Sequence, residues 1–171
     1  MLTAPPLPAK PPMARQPGSS PGSILVLCQG NYCRSPMAEA LLRAALGPGI
    51  RVESAGLGAR EGYAPHPRAI QVMAERGIDI TRSRSRQVTP AMALAADLIL
   101  VMDRDQQDRC VALAPGTRGR VHLLGRWLAP GRQEIPDPLG QPDRAFQGAL
   151  ELIIQSVAAW GDRLRQHRGT P

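Results

Sequence analysis

Ile24-Leu-Val-Leu27 is an unbroken apolar run of strand length, which is how a strand covered on both faces reads. Leu98-Ile-Leu-Val-Met102 has the same character. Ile50-Arg-Val-Glu-Ser54 alternates as a shorter strand and stops at Ala55-Gly56, and Val121-His-Leu-Leu124 makes a fourth. Between these runs the period changes to that of a helix. Ser35-Pro36 carries a capping residue and a first-turn proline, and Met37, Ala38, Leu41, Leu42, Ala45 and Leu46 follow at helical spacing until Gly47-Pro48-Gly49. Pro67 to Arg76 predicts a second helix, with Ile70 and Met73 inward and Gly77 as its stop. Thr89-Pro90 opens a short helix, and Arg104 to Leu113 forms another that halts at Pro115-Gly116. From about Pro142, the residues Phe146, Leu150, Ile153, Val157, Trp160 and Leu164 step alternately by four and three, the stripe of a long helix packed on a sheet.

Buried strands alternating with helices imply a parallel sheet with right-handed crossovers. The expected fold is therefore α/β, a single domain in three layers with a four-stranded parallel sheet. Such sheets bind ligands at the carboxyl ends of their strands. Cys28 ends the first strand and Asp137 follows the last, so the two can meet at one edge.

Composition adjusts this picture at the ends of the chain. Of 171 residues, 43% are hydrophobic and only 3% aromatic, so one aliphatic core is expected. Residues 1–22 are rich in Pro, Ala, Gly and Ser without a periodic apolar face and read as a disordered leader; 23–166 form the domain and 167–171 a flexible tail. No apolar run approaches the roughly 18–20 residues of a bilayer span, and no signal-type apolar region stands near Met1. A cytoplasmic protein without membrane insertion is expected. The net charge of +7 resides largely at the ends, with Lys10 and Arg15 unopposed and Arg163, Arg165 and Arg168 facing Asp162. No stripe of aromatics interleaves with this excess, so nucleic acid is not an expected partner; Arg82-Ser-Arg-Ser-Arg86 reads as a basic loop.

The chemistry gathers at Cys28. Three cysteines, Cys28, Cys33 and Cys110, are an odd number without an export signal, which argues against a disulfide framework and leaves room for a reactive thiol. No second Cys or His pair completes a zinc set with Cys28 and Cys33; His66, His122 and His167 are scattered, and no metal or cofactor is expected. A lone cysteine is usually an inert core residue, and Cys-x5-Arg alone is a weak pattern. Its placement between a buried strand and a helix start changes its meaning. Backbone N–H groups of Gln29, Gly30, Asn31, Tyr32, Cys33 and Arg34 can curl around one tetrahedral anion. Gly30 permits a tight bend and Asn31 tolerates a left-handed conformation. The helix start at Ser35 adds unpaired N–H groups, and Arg34 can grip two oxygens at once. These positive surroundings favour a thiolate at Cys28, and Ser35 can donate to its sulfur. Thiolate attack on phosphorus requires an acid for the leaving oxygen, and Asp137, between Pro136 and Pro138, is the candidate. The Walker pattern is absent.

On Cys-Gln-Gly-Asn-Tyr-Cys-Arg-Ser-Pro-Met-Ala-Glu at 28–39, Glu-Ser-Ala-Gly at 53–56, Pro-Arg-Ala-Ile at 67–70, Arg86-Gln87, Asp97 to Asp103 and Ile-Pro-Asp-Pro at 135–138, the chain resembles the low-molecular-weight protein tyrosine phosphatases. Val52 to Ala59 and Arg118-Gly-Arg-Val121 are most similar to the bacterial branch associated with capsule and exopolysaccharide export. The resemblance implies a flavodoxin-like sheet and metal-independent hydrolysis of phosphotyrosine. It implies a nucleophile at Cys28, phosphate binding at Arg34 and a general acid at Asp137. It also implies that Ser54 braces Asn31 and that Cys33 can trap an oxidised Cys28 as a disulfide. The expected partners are a phosphotyrosine protein, such as a cognate bacterial tyrosine kinase, and inhibitory phosphate-like anions. Leu139-Gly140 stands where the family carries aromatics, Arg60 occupies another rim position, and Tyr32 replaces a common aliphatic residue, so these three are expected to set substrate preference. An arsenate reductase of the same fold and a non-catalytic phosphate-binding regulator stay open as alternatives. The first usually requires a downstream cysteine pair, and only Cys110 lies downstream.

Overall fold

The first strand, β1 (Ser23–Cys28), is buried along its whole length, as its apolar run requires. It is described here from a computed structural model covering residues 21–166. The leader expected at 1–22 lies outside the described residues except for its last two, and the tail expected at 167–171 lies wholly outside them. Gly22, within the expected leader, is held against the sheet. The Asp97 carboxylate accepts from the Gly22 amide at 3.1 Å, the Ser23 amide at 2.9 Å and the Ser23 hydroxyl at 2.8 Å, and so ties the entry of β1 to the neighbouring strand.

After β1 come α1 (Arg34–Leu46), β2 (Arg51–Gly56), α2 (Pro67–Ala74), α3 (Pro90–Ala95), β3 (Leu98–Val101), α4 (Arg104–Leu113), β4 (Val121–Leu123) and α5 (Arg144–Gln166). The four strands form one parallel sheet in the order β2-β1-β3-β4. The even-numbered side of β1, with Ile24 and Val26, packs under α1, α2 and α5 through Met37, Leu42, Met73, Phe146 and Ile153. The odd-numbered side, with Leu25 and Leu27, packs on α3 and α4 through Ala93 and Cys110. Two apolar layers on opposite faces of one sheet make the three-layer α/β sandwich. The chain leaves β1 to one side for β2 and returns on the other for β3, which opens a crevice beyond the carboxyl end of β1.

Two local expectations are corrected. Ser35 is not the helix cap: α1 starts at Arg34 with Cys33 in the cap position and no side-chain capping bond. The Ser35 hydroxyl is turned inward, fully buried, toward the Cys28 sulfur. In α2 the inward residues are Ala69, Val72 and Met73, whereas Ile70 is only partly covered. The basic loop at 82–86 is anchored at its end: Ser85 is buried and Arg86 turns toward β2, donating to the Ser54 carbonyl at 2.8 Å.

Candidate active site

The loop from Cys28 to Arg34 closes around the end of β1 through one positive-φ residue. Asn31 supplies it, at φ 52°. Asparagine tolerates this region better than most side chains because its amide can bond locally. Here that amide is fully engaged: Nδ2 donates to the Ser35 hydroxyl and to the Ser54 hydroxyl, each at 2.9 Å, and Oδ1 accepts from the Arg86 backbone N–H at 3.0 Å. Ser54 donates onward to the Glu39 carboxylate, which also pairs with Arg43 at 2.6 Å. The chain of donors fixes a direction. Since Ser35 Oγ accepts from Asn31, its own proton is free for the Cys28 sulfur 3.0 Å away. The side chains of Asn31 and Ser35 therefore stand behind the sulfur, outside the lining of the cleft.

Glycine is obligatory beside this loop at Gly56. A Cβ there would lie 2.8 Å from the Asn31 amide nitrogen and 2.8 Å from the Gln29 carbonyl oxygen, far inside contact distance. β2 thus approaches the loop backbone to backbone, and Leu57 and Gly58 donate to the Cys28 and Gln29 carbonyls at 3.0 and 2.8 Å.

With its carbonyls and side chains so anchored, the loop leaves its amides unused. Among the described residues, no backbone N–H from Gln29 to Arg34 donates to a protein acceptor. They surround the Cys28 thiol at the floor of a cleft of about 400 Å³ lined also by Gly30, Tyr32, Arg34, Arg60, Asp137 and Leu139. Such amides at a helix start, next to a cation, form an anion cradle.

Arg34 is nearly inaccessible, at 3% exposure, and three groups hold it. Nη1 donates to the Ile135 carbonyl at 2.9 Å and lies 3.7 Å from Asp103, and Nη2 meets Asp137 Oδ2 at 2.6 Å. The Leu139 backbone N–H donates to the other Asp137 oxygen at 3.1 Å. Asp137 is itself exposed, so one carboxylate reaches both the buried cation and the open cleft.

Cys33 is buried against the same loop. Desolvation first, then the neighbouring Cys28 and Asp137, push its thiol up to about 12, with Arg34 opposing. It stays protonated near neutrality.

The rim holds a residue that the sequence reading passed over. Tyr63 is 54% exposed and faces the cleft with Tyr32. The ring expected to be missing near Arg60 is supplied three positions later. Its loop is fastened by Ser85, which accepts from the Tyr63 amide at 3.0 Å while its own amide donates to the Tyr63 carbonyl at 2.8 Å. Tyr32 is edge-on to His66 at 5.5 Å, and His66 stacks on Phe146 at 4.8 Å. Glu39, Arg86 and Asp103 also went unassigned, although all three stand inside the quoted motif segments; nothing in their local spacing shows what they bond. Arg109, which donates to the Gln29 side chain at 2.7 Å, carries no sequence signal at all.

A thiol at the floor of an anion cradle, at the carboxyl edge of a parallel sheet, with an arginine and a carboxylate on its walls, defines a cysteine-based phosphatase. Sequence comparison gives the same answer: the low molecular weight phosphotyrosine protein phosphatase family matches residues 23–169, and the chain belongs to that family. It is 47% identical over 143 residues to the probable low molecular weight protein-tyrosine-phosphatase EpsP of Ralstonia nicotianae, covering 84% of this chain and 96% of that one. The crystal structure of the tyrosine phosphatase AmsI of Erwinia amylovora superposes with a TM-score of 0.82 at 36% identity, over 87% of this chain and 97% of that one. That of Wzb from Escherichia coli K30 in complex with sulphate gives 0.80 at 38% identity, over 84% and 98%.

Proposed function

We propose that this phosphatase hydrolyses phosphotyrosine on proteins through a cysteinyl-phosphate intermediate. The observation that carries the reading is the convergence of the Cys28 sulfur, the Arg34 guanidinium and the Asp137 carboxylate on one cleft whose loop amides are unused. The phosphate oxygens take the amides of Gln29 to Arg34 and the fork of Arg34. The Cys28 thiolate, aided by the Ser35 hydroxyl, attacks phosphorus as the bond to the tyrosyl oxygen breaks. Asp137 gives its proton to the leaving phenoxide. It then takes a proton from the water that attacks the cysteinyl phosphate, so inorganic phosphate departs and the thiolate returns. Sulphate bound to Wzb supports a tetrahedral-anion site of this kind, and phosphate-like anions are expected to compete with substrate.

Tyr32 and Tyr63 favour an aryl ester over an alkyl one, because two rings can flank the substrate ring. Cys110 speaks against arsenate reduction: it is fully buried under α4 on the opposite face of the sheet and has no route to relay a disulfide from Cys28. The substrate class proposed is a phosphotyrosine protein such as a bacterial tyrosine kinase of polysaccharide export, met in the cytoplasm. Among the described residues no helix is long and apolar enough to cross a membrane.

Rapid-mix kinetics with p-nitrophenyl phosphate test the mechanism. An initial burst of nitrophenolate equal to the enzyme concentration is expected, with no turnover in Cys28→Ser. Undiminished hydrolysis by that variant would overturn it. Capture of phosphoproteins from a native extract by Cys28→Ser or Asp137→Ala then identifies the substrate.

A further inference from the structure

The charges around the cleft are sorted along the carboxyl edge of the sheet. Beyond β2, at one side, the loop carries Arg60, whose guanidinium makes no ion pair among the described residues. Glu61 beside it is turned away: its carboxylate accepts from the Gln87 amide at 2.8 Å, and it does not line the cleft. Beyond β3 and β4, at the other side, a second groove is lined by Asp103, Asp105 and Glu134. It shares Gln29, Arg34 and Asp137 with the catalytic cleft, so the two form one continuous trough that crosses the Cys28 loop. Arg109 offsets part of the acidity at 3.3 Å from Asp105, and Arg104 lies 3.7 Å from Glu134, yet Asp105 is 75% exposed and the groove remains acidic. The strand order β2-β1-β3-β4 therefore puts the Arg60 cation on one flank of the nucleophile and carboxylates on the other.

We infer that the trough reads the polarity of the substrate segment: a phosphotyrosine with an acidic residue on its Arg60 flank and a basic residue on its Asp105–Glu134 flank. The inference rests on the phosphatase reading above and adds the sequence context that this site accepts. Arg60 and the two acids act as specificity residues; they touch the flanking side chains and leave the reacting atoms to the loop. The rings of Tyr32 and Tyr63 hold the phosphotyrosine, so the segment has to cross the strand ends in an extended form, which presents its neighbouring side chains to the two flanks.

The test uses the full chain and four phosphotyrosyl peptides alike except for the flanking residues: Glu before and Lys after, Lys before and Glu after, Glu on both sides, Lys on both sides. One mixed peptide is expected to exceed its reverse by roughly tenfold in kcat/KM at low salt. It does so because it makes both attractions where the reverse makes two repulsions, with the two uniform peptides between them. The gap should narrow as salt rises, since the screening length falls from about 30 Å at 0.01 M to about 8 Å at 0.15 M. Arg60→Glu combined with Asp105→Lys and Glu134→Lys should invert the ranking. Because the readout is a ratio of peptides within one protein, a general loss of activity in the variant leaves it interpretable. Mixed peptides within twofold of each other, a uniform peptide ranking first, or an unchanged ranking in the triple variant would each overturn the inference. Hydrolysis of p-nitrophenyl phosphate by the unaltered protein separates the two readings: if it fails, the phosphatase mechanism has failed, and if it proceeds while the peptides go unranked, only the polarity inference has.

Discussion

The Asp137 carboxylate lies 2.6 Å from the Arg34 guanidinium, on the cation that the mechanism gives to the substrate's phosphate. In the proposed mechanism the phosphate competes with Asp137 for that cation, while the exposed Asp137 carboxylate already lines the cleft. The contact thus sets the Asp137 carboxylate and the substrate's phosphate in competition for Arg34. Asp137→Asn should act in two ways. It removes the acid, so kcat for phosphotyrosine should fall by roughly 10²–10⁴-fold. It also removes the anion competing for Arg34, so inorganic phosphate should inhibit at lower concentration. Steady-state inhibition curves check this, and weaker phosphate inhibition in the variant would show that the ion pair does not guard Arg34.

Asn31 holds the loop by conformation and by three hydrogen bonds at once. Asn31→Ala keeps a non-glycine residue at φ 52° and strips all three bonds. The left-handed backbone costs about 1–2 kcal/mol, and the buried partners Ser35, Ser54 and the Arg86 amide lose satisfaction at about 1–3 kcal/mol. Denaturant unfolding should report a loss of a few kcal/mol, and kcat should fall because Ser35 is no longer held with its proton toward sulfur. Gly56→Ala attacks the same loop from behind, since its Cβ would drive into the Asn31 amide. It should cost about 1–3 kcal/mol by overpacking.

Much of this was legible from residue order. The apolar runs at 24–27 and 98–102 could only be strands covered on both faces, and the four-three stepping from Phe146 to Leu164 could only be one long helix on the sheet. The grouping of the candidate site was legible too, because Cys28, Arg34 and Ser35 are local and Asp137 is marked by its flanking prolines. Contacts set by tertiary packing were not legible. Ser35 reads as a cap by its place before Pro36, yet the loop turns it inward to the sulfur. Glu39 stands in the helix after the loop and Arg86 lies 55 positions from Asn31; only tertiary packing joins them to it, Glu39 through Ser54 and Arg86 through the Asn31 side-chain Oδ1. Tyr63 is a loop aromatic without periodicity; the Ser85 bonds that aim it at the cleft come from more than twenty positions away.

Tyr63 should contribute to binding of rings and not of phosphate. An aromatic pair adds about 0.5–1.5 kcal/mol beyond its buried area. Tyr63→Ala should therefore raise KM for aryl phosphates about three- to tenfold while inhibition by inorganic phosphate stays as it was. Equal losses for both ligands would show that Tyr63 supports the loop and does not touch the substrate.

Cys33 makes the folded protein sensitive to alkali. Its thiol is pushed up to about 12 in the fold against an ordinary value of 9.0. The unfolded chain therefore loses the proton first as pH rises. The associated stability is complete below about pH 9 and is lost progressively between 9.0 and about 12. Burial raises Cys110 as well, so it acts in the same sense. Denaturant midpoints measured across the alkaline range should fall steeply for the native protein, less so for Cys33→Ser, and least for the double variant with Cys110→Ser. The same shift governs oxidation chemistry. A protonated Cys33 cannot compete with Cys28 for substrate at neutral pH, but once Cys28 is a sulfenic acid, a Cys33 thiolate can attack its sulfur, breaking the S–O bond to form the Cys28–Cys33 disulfide and release hydroxide, which takes a proton from solvent. Closure of that bond after a peroxide pulse should accelerate as pH rises toward 12, followed by loss of free thiols. A rate independent of pH would mean that the thiolate of Cys33 is not the attacking form.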